Sequence, residues 1–305
     1  MKTKPKTSAP AASVLSGRRI AWLATIPMIM GLGIFALYPF VYLIGLALTE
    51  SNLIAPFQKW LGTKNFADAL GDARFTGSLW RSVALAFLAT GFAMVLGVAV
   101  ALLLDKAVRA RDLIRTLILL PLLTPPVTAA IMWQLLLMPQ GGWLNAFLMD
   151  IGVIGAPISF LGVPSLAFLS ILAVDVWQWA PFVALMTFAA LQTLPDEVYE
   201  AARLDVRSGA YIFRHITLPM LLPALIGIAV LKLVISFKLF DLVFVLTAGG
   251  PGQATTISSF FIYRTGIQQF DIGLAAAMTL LFAFVVGLAT VPFTMAHDKA
   301  EEKLS

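Results

Sequence analysis

Four charged residues stand inside stretches that are otherwise apolar: Asp175, Lys232, Lys238 and Asp241. A charge at the centre of a bilayer costs about 2.5–3.5 kcal/mol on insertion scales, so such groups face a partner or a cavity. Lys238 and Asp241 are three apart, which on a continuous helix puts them on one face as a pair. Lys232 lies nearer the inner end of its segment, from where its stem reaches the interface. Asp175-Val176-Trp177-Gln178-Trp179 joins a carboxylate and an amide to two aromatic faces, a set that suits a sugar. The same aromatics fit an interfacial belt, and both readings stand. Asp175, Trp177, Gln178, Lys238 and Asp241 are the candidates for a solute pathway.

Other chemistry is missing. No Gly-Lys dipeptide occurs, so there is no Walker-type phosphate loop. His-Glu-x-x-His and Gly-x-Ser-x-Gly are absent as well. His215 and His297 sit in charged surroundings and suit a surface role better than metal ligation. No nucleophile–base pair assembles at membrane depth, and the chain reads as a non-enzyme. Without cysteine there is neither a disulfide framework nor thiolate chemistry.

Hydropathy sets the elements that carry these residues. Of 305 residues, 60% are hydrophobic and 12% charged, with mean hydropathy +0.91. Soluble domains sit near 45–50% and about 25%. The fold class is therefore an all-α polytopic membrane protein. A bilayer core of about 30 Å needs roughly 20 apolar residues per helix. On that measure six transmembrane helices are expected: Ile20–Thr49, Ser82–Leu104, Thr116 to about Met138, Val163–Leu191, Leu218–Leu246 and Ile272–Ala296. A Pro-Gly-Gly break at Pro139–Gly142 and a short interfacial helix, Trp143–Met149, follow the third. Lys and Arg crowd into the N-terminal tail, the stretch from Lys106 to Arg115, the stretch from Arg203 to Arg214, and the C-terminal tail. The remaining loops hold only Lys59, Lys64, Arg74 and Arg264. That asymmetry predicts N-in, C-in. The chain divides into a cytoplasmic basic tail (1–19), a first transmembrane helix (20–49), an extracytoplasmic loop (50–77), a transmembrane domain (78–296) with an inner loop at 192–217, and a second cytoplasmic tail (297–305).

The inner loop has a pattern of its own. Thr193 with Asp196 resembles a capping box, and Pro195 suits a first helical turn. A helix from Pro195 to about Asp205 follows, with Leu194, Val198, Ala201 and Ala202 at helical spacing on one face. Glu197, Glu200, Arg203 and Arg207 decorate the rest. Small Ala201 and Ala202 let another surface approach closely. Ser208-Gly209 offers a turn before Phe213, Ile216 and Leu218 lead into Pro219. A solvated loop helix and a docking element both fit.

Glu200-Ala201-Ala202, followed by Phe213 and by Ile216-Thr217-Leu218-Pro219, resembles the EAA loop of binding-protein-dependent ABC transporter permeases. Phe240-Asp241-Leu242-Val243-Phe244-Val245-Leu246-Thr247-Ala248-Gly249-Gly250-Pro251 is similar to the carbohydrate-uptake branch, on its maltose-permease "F" side. So are Ile262-Tyr263-Arg264, Gly273 through Ala277, Pro139 through Asn145 and Trp177 through Pro181. The resemblance runs from about Ser78 to Thr294. It departs at Val206, where the family usually places a loop glycine; Gly209 stands three residues later. The spacing from Glu200 to Pro219 is kept, which predicts a shifted turn.

The resemblance implies a permease subunit of an ATP-driven importer of a sugar or sugar derivative in the bacterial cytoplasmic membrane. It would form half of a translocation pathway that works by alternating access. ATPase coupling falls to Glu200, Ala201, Ala202, Asp205, Gly209, Phe213 and Pro219, with Glu200 paired to a basic residue of the ATPase. The implied partners are a second homologous permease subunit, two cytoplasmic ATPase subunits, an extracytoplasmic sugar-binding protein and membrane lipid, with no nucleic acid. No cofactor is expected on this chain, since ATP and Mg belong to the ATPase subunits. Gly249-Gly250-Pro251-Gly252 would be a flexible outer turn facing the binding protein. The rival reading is an ion-coupled secondary carrier that works without an ATPase, with Asp175 or Asp241 as its proton-binding group.

Overall fold

A computed structural model describes residues 25–106, 111–205 and 208–302. The basic tail (1–19) lies outside them, as do Val206 and Arg207. Helix α1, Thr25–Ala47, is apolar all round and almost wholly exposed within this chain. It ends in a small antiparallel hairpin, β1 (Thr49–Glu50) with β2 (Lys59–Trp60), in which Thr49 pairs with Trp60 and Glu50 with Lys59. Helix α2, Lys64–Gly71, leads into α3, Ala73–Lys106. At 1.5 Å per residue, α3 is roughly 50 Å long and outreaches the hydrocarbon core. The expected start at Ser82 was late because Ala73 to Leu79 is too mixed in polarity to read as span.

Helices α4 (Arg111–Leu123) and α5 (Pro126–Leu136) replace the continuous third span expected from hydropathy. Their apolar parts meet at 97°. The cause is Pro125-Pro126: a residue before proline is pushed out of the helical region, and Pro125 itself is extended at φ −56, ψ 138. Helix α6 (Trp143–Asp150) is the expected short helix, and α7 (Pro164–Leu191) the expected fourth span. Helix α8 (Asp196–Asp205) follows on the inner loop.

Helix α9 runs from Gly209 to Phe237, not from Leu218 to Leu246. Its first turns widen to π geometry over Phe213–Thr217. Pro219 lacks the N–H that a tight turn there would use, and a wider turn accommodates it. The far end stops because Phe240 leaves helical geometry at φ −144, and α10 (Asp241–Leu246) begins afresh. Helix α11, Ser258–Tyr263, and the long α12, Ile272–Glu302, complete the chain. Among the described residues, five helices are long and apolar enough to cross a membrane, and the bent α4–α5 pair makes a sixth if it is one span.

Helices α3 and α7 form the spine of the bundle. Without a hydrophobic drive between helices in lipid, close packing of small residues does the work. Gly97 shows it: a Cβ there would lie 2.5 Å from Val183 and 2.9 Å from the Ala180 carbonyl. One apolar cluster joins Leu85, Ile171, Val174, Leu242 and Phe260. A second, toward the inner loop, joins Leu104, Phe188, Leu191, Leu221 and Leu225.

Candidate functional site

The inner ends of α3, α7 and α9 meet around α8. Leu194 packs on the cluster of Leu191 and Leu221, and the Tyr199 hydroxyl donates to Thr217 Oγ1 at 3.1 Å. These contacts seat one side of α8 on the bundle. Thr193 does not make the expected capping box; its hydroxyl donates back to the Ala190 carbonyl at 2.8 Å, finishing α7. The expected common face of Ala201 and Ala202 is split. Ala202 is 8% exposed and faces the bundle, while Ala201 and Glu200 face outward. Successive residues are about 100° apart on a helix, enough to separate them.

Beside α8 opens a cleft of about 710 Å³, lined among others by Asp105, Gln192, Asp196, Glu200, Gly209 and Phe213. Gln192 Nε2 donates to Asp105 Oδ1 at 3.0 Å across its mouth. Gly209 is the first residue of α9 rather than part of a free turn, with Ser208 extended before it. Phe213 is half-buried and Pro219 exposed. Asp205 closes α8. His215 stacks on Tyr211, ring centroids 4.1 Å apart, and its Nδ1 lies 3.1 Å from the Tyr211 carbonyl. His297 Nδ1 lies 3.0 Å from the Pro223 carbonyl. His215 thus stays on the exposed surface of α9, as expected, while His297 reaches across from α12 to α9.

At mid-span the charges are arranged differently from the sequence expectation. Lys232 does not snorkel. It points into the bundle at 0% exposure and donates to Asp175 Oδ2, itself 1% exposed, at 2.7 Å. Ser236 Oγ accepts a second bond at 2.7 Å, and the Trp179 ring lies 5.7 Å from the ammonium. Ser236 also meets Thr90 of α3 at 3.4 Å. No ion pair joins Lys238 to Asp241 among the described residues, because the helix that was to carry both ends between them. Lys238 is exposed and Asp241 half-buried at that break. Gln178 is buried and donates to the Thr124 carbonyl at 2.9 Å, where the α4–α5 bend frees it. Trp177 sets its ring edge-on to Trp133 at 5.6 Å. Asp175, Gln178 and Lys232 thus meet partners across helices, whereas Lys238 and Asp241 do not meet each other. Ser236 and Thr90 escaped notice in the sequence, since hydroxyls raise no charge signal; the signal available was charge balance between an Asp in one span and a Lys in another.

The turn at Gly249–Gly252, expected to be flexible, is instead tightly knit by hydrogen bonds. Gly249 has φ +83, a backbone region that suits glycine. Thr256 donates to its carbonyl at 2.9 Å and Thr255 to that of Gly250 at 2.7 Å. Arg81 Nε donates to the Thr256 carbonyl at 2.8 Å, tying the loop to α3. A Cβ on Gly249 would lie 2.6 Å from Thr256 Oγ1 and 2.7 Å from Phe260. Gly249→Ala is therefore expected to cost about 1–3 kcal/mol, read as a lower thermal midpoint.

The comparisons with known proteins agree with one another. Residues 93–301 match the family model described as binding-protein-dependent transport system inner membrane component. The trehalose/maltose transport system permease protein MalF of Thermococcus litoralis is 31% identical over 284 residues, 92% of this chain and 93% of that protein. The sn-glycerol-3-phosphate transport system permease protein UgpA of Pectobacterium atrosepticum is 30% identical over 287 residues, 92% of this chain and 96% of that one. A crystal structure of a bacterial ABC transporter involved in importing the acidic polysaccharide alginate has a chain of the same fold. Its TM-score is 0.82 at 22% identity, covering 94% of this chain and 98% of that one. With the family matched over most of its length, this chain belongs to the inner-membrane components of binding-protein-dependent transport systems, the multi-pass permease subunits of ABC transporters.

Proposed function

We propose that this permease subunit imports a sugar or sugar derivative, driven through α8 by ATPase subunits that carry the ATP and Mg themselves. The observation that carries the reading is the placement of α8. It is a ten-residue helix between the inner ends of α7 and α9, seated by Leu194, Tyr199 and Ala202, with Glu200 and Ala201 facing out. A rigid element seated on two spanning helices and open on its other side is a lever for a partner. Glu200 pairs with a basic residue of the ATPase, Ala201 gives the close approach, and Asp205, Gly209, Phe213 and Pro219 carry the motion into α9. Both termini lie inside, a second homologous permease completes the pathway, and a sugar-binding protein docks outside near Gly249–Gly252. The relatives' names support the solute class: one reads trehalose/maltose, another sn-glycerol-3-phosphate. A solved relative is described in complex with an alginate pentasaccharide-bound periplasmic protein. Asp175, Trp177, Gln178, Lys238 and Asp241 are the pathway candidates, joined by Lys232 and Ser236.

The test is energetic. A thermal-shift screen of the cognate binding protein against di- and oligosaccharides identifies the solute. Uptake of that sugar is expected to stop on ATP depletion and to survive an uncoupler. The opposite result would favour the ion-coupled carrier and sink the proposal.

A further inference from the structure

The Asp175–Lys232 pair bridges α7 and α9, the two helices that flank α8 in sequence. It lies deep: sixteen residues separate Asp175 from the inner end of α7, a rise of about 24 Å. Below it, apolar clusters join α7 and α9, Val183 with Ile228 and Phe188 with Leu221 and Leu225. Apolar contacts hold their register only by fit of shape, and a slip exchanges one hydrocarbon neighbour for another. A desolvated ion pair has a strict one. Slip by a turn, about 5 Å, would strand two charges among apolar atoms.

We infer that Asp175 and Lys232 are positioning residues that pin α7 to α9, so both helices move with α8 as one body. Neither touches the ATPase. Ser236, bonded to Lys232 and in contact with Thr90, extends the pin to α3. Lys232, which hydropathy alone assigns to the interface, becomes the centre of the device. The inference rests on the ATP-driven reading above, and the two fail separately in one experiment.

The chain has no cysteine, so paired spin labels report chosen distances in the assembled transporter in nanodiscs. One pair, Leu169→Cys with Leu222→Cys, spans α7 and α9 at exposed positions diagonal to the ion pair. A control pair, Phe35→Cys with Thr193→Cys, spans α1, which lies outside the pinned helices, and the turn into α8, clear of the residues that meet the ATPase. Distances are read without nucleotide and with ATP and vanadate. The control distance should change while the α7–α9 distance stays single and fixed. In D175N a second α7–α9 population should appear, displaced by about one helical turn; in D175K/K232D it should vanish again. If D175N does not assemble, D175N/K232M removes both charges and must show the same second population. A native α7–α9 distance that shifts with nucleotide overturns the pin, as does a D175N distribution like the native one. A control distance that nucleotide leaves unmoved overturns the ATP-driven reading instead.

Discussion

Replacing Ala202 with Arg should abolish ATP-dependent uptake while leaving the chain in the membrane. The side chain it replaces is 8% exposed, on the face by which α8 sits on the bundle. Overpacking a tight site costs about 1–3 kcal/mol, and a guanidinium on that face adds the burial of an unpaired charge. The helix would lift and break the Tyr199–Thr217 bond. Its companion, Ala201→Arg, sits on the open face and leaves that seat intact. Both variants should lose uptake, by more than about tenfold, but only Ala202→Arg should expose the inner loop to protease. Full uptake by Ala201→Arg would show that the open face meets no driving partner.

Asp175→Ala is expected to destabilise the assembled transporter by about 3–5 kcal/mol, the range for one orphaned member of a buried pair. The polar contact itself is a minor part of that figure, since interhelical hydrogen bonds in membrane proteins average about 0.6 kcal/mol. What dominates is the ammonium of Lys232, left with Ser236 and the Trp179 ring as its company. Asp175→Ala with Lys232→Met should therefore recover most of the loss. A double-mutant cycle on the thermal midpoint measures the coupling, and additive losses would show the pair to be independent groups.

The spans were legible because the bilayer imposes a length and a composition that a single sequence cannot hide. α6, α7 and α8 sit within a residue or two of their expected bounds. The two largest errors in the spans share one cause, a break inside an apolar stretch. Pro125-Pro126 lowers hydropathy too little to interrupt an apolar window, so the 97° bend is averaged away. The end of α9 at Phe237 has no proline or glycine to mark it, and Lys238 was paired with Asp241 on a helix that had already stopped. The true partner of Lys232 is 57 residues away on another helix, a distance over which local spacing says nothing. On α8 the helix was legible and its orientation was not. Which of Ala201 and Ala202 faces inward depends on Tyr199 finding Thr217, a contact made after the chain has turned.

The outer turn has a kinetic consequence. Gly249, Gly250, Thr255 and Thr256 hold one another by hydrogen bonds, and Arg81 anchors them to α3. A protein docking there meets a surface whose shape is already set, and little backbone freedom is lost at the encounter. Pre-set surfaces bind without waiting for a rearrangement, so association runs near the rate of collision and orientation. A protein delivering cargo many times over gains from arriving quickly and leaving as quickly. If the sugar-binding protein docks at this turn as proposed, the stiffness of these five residues bears on how often the cycle turns.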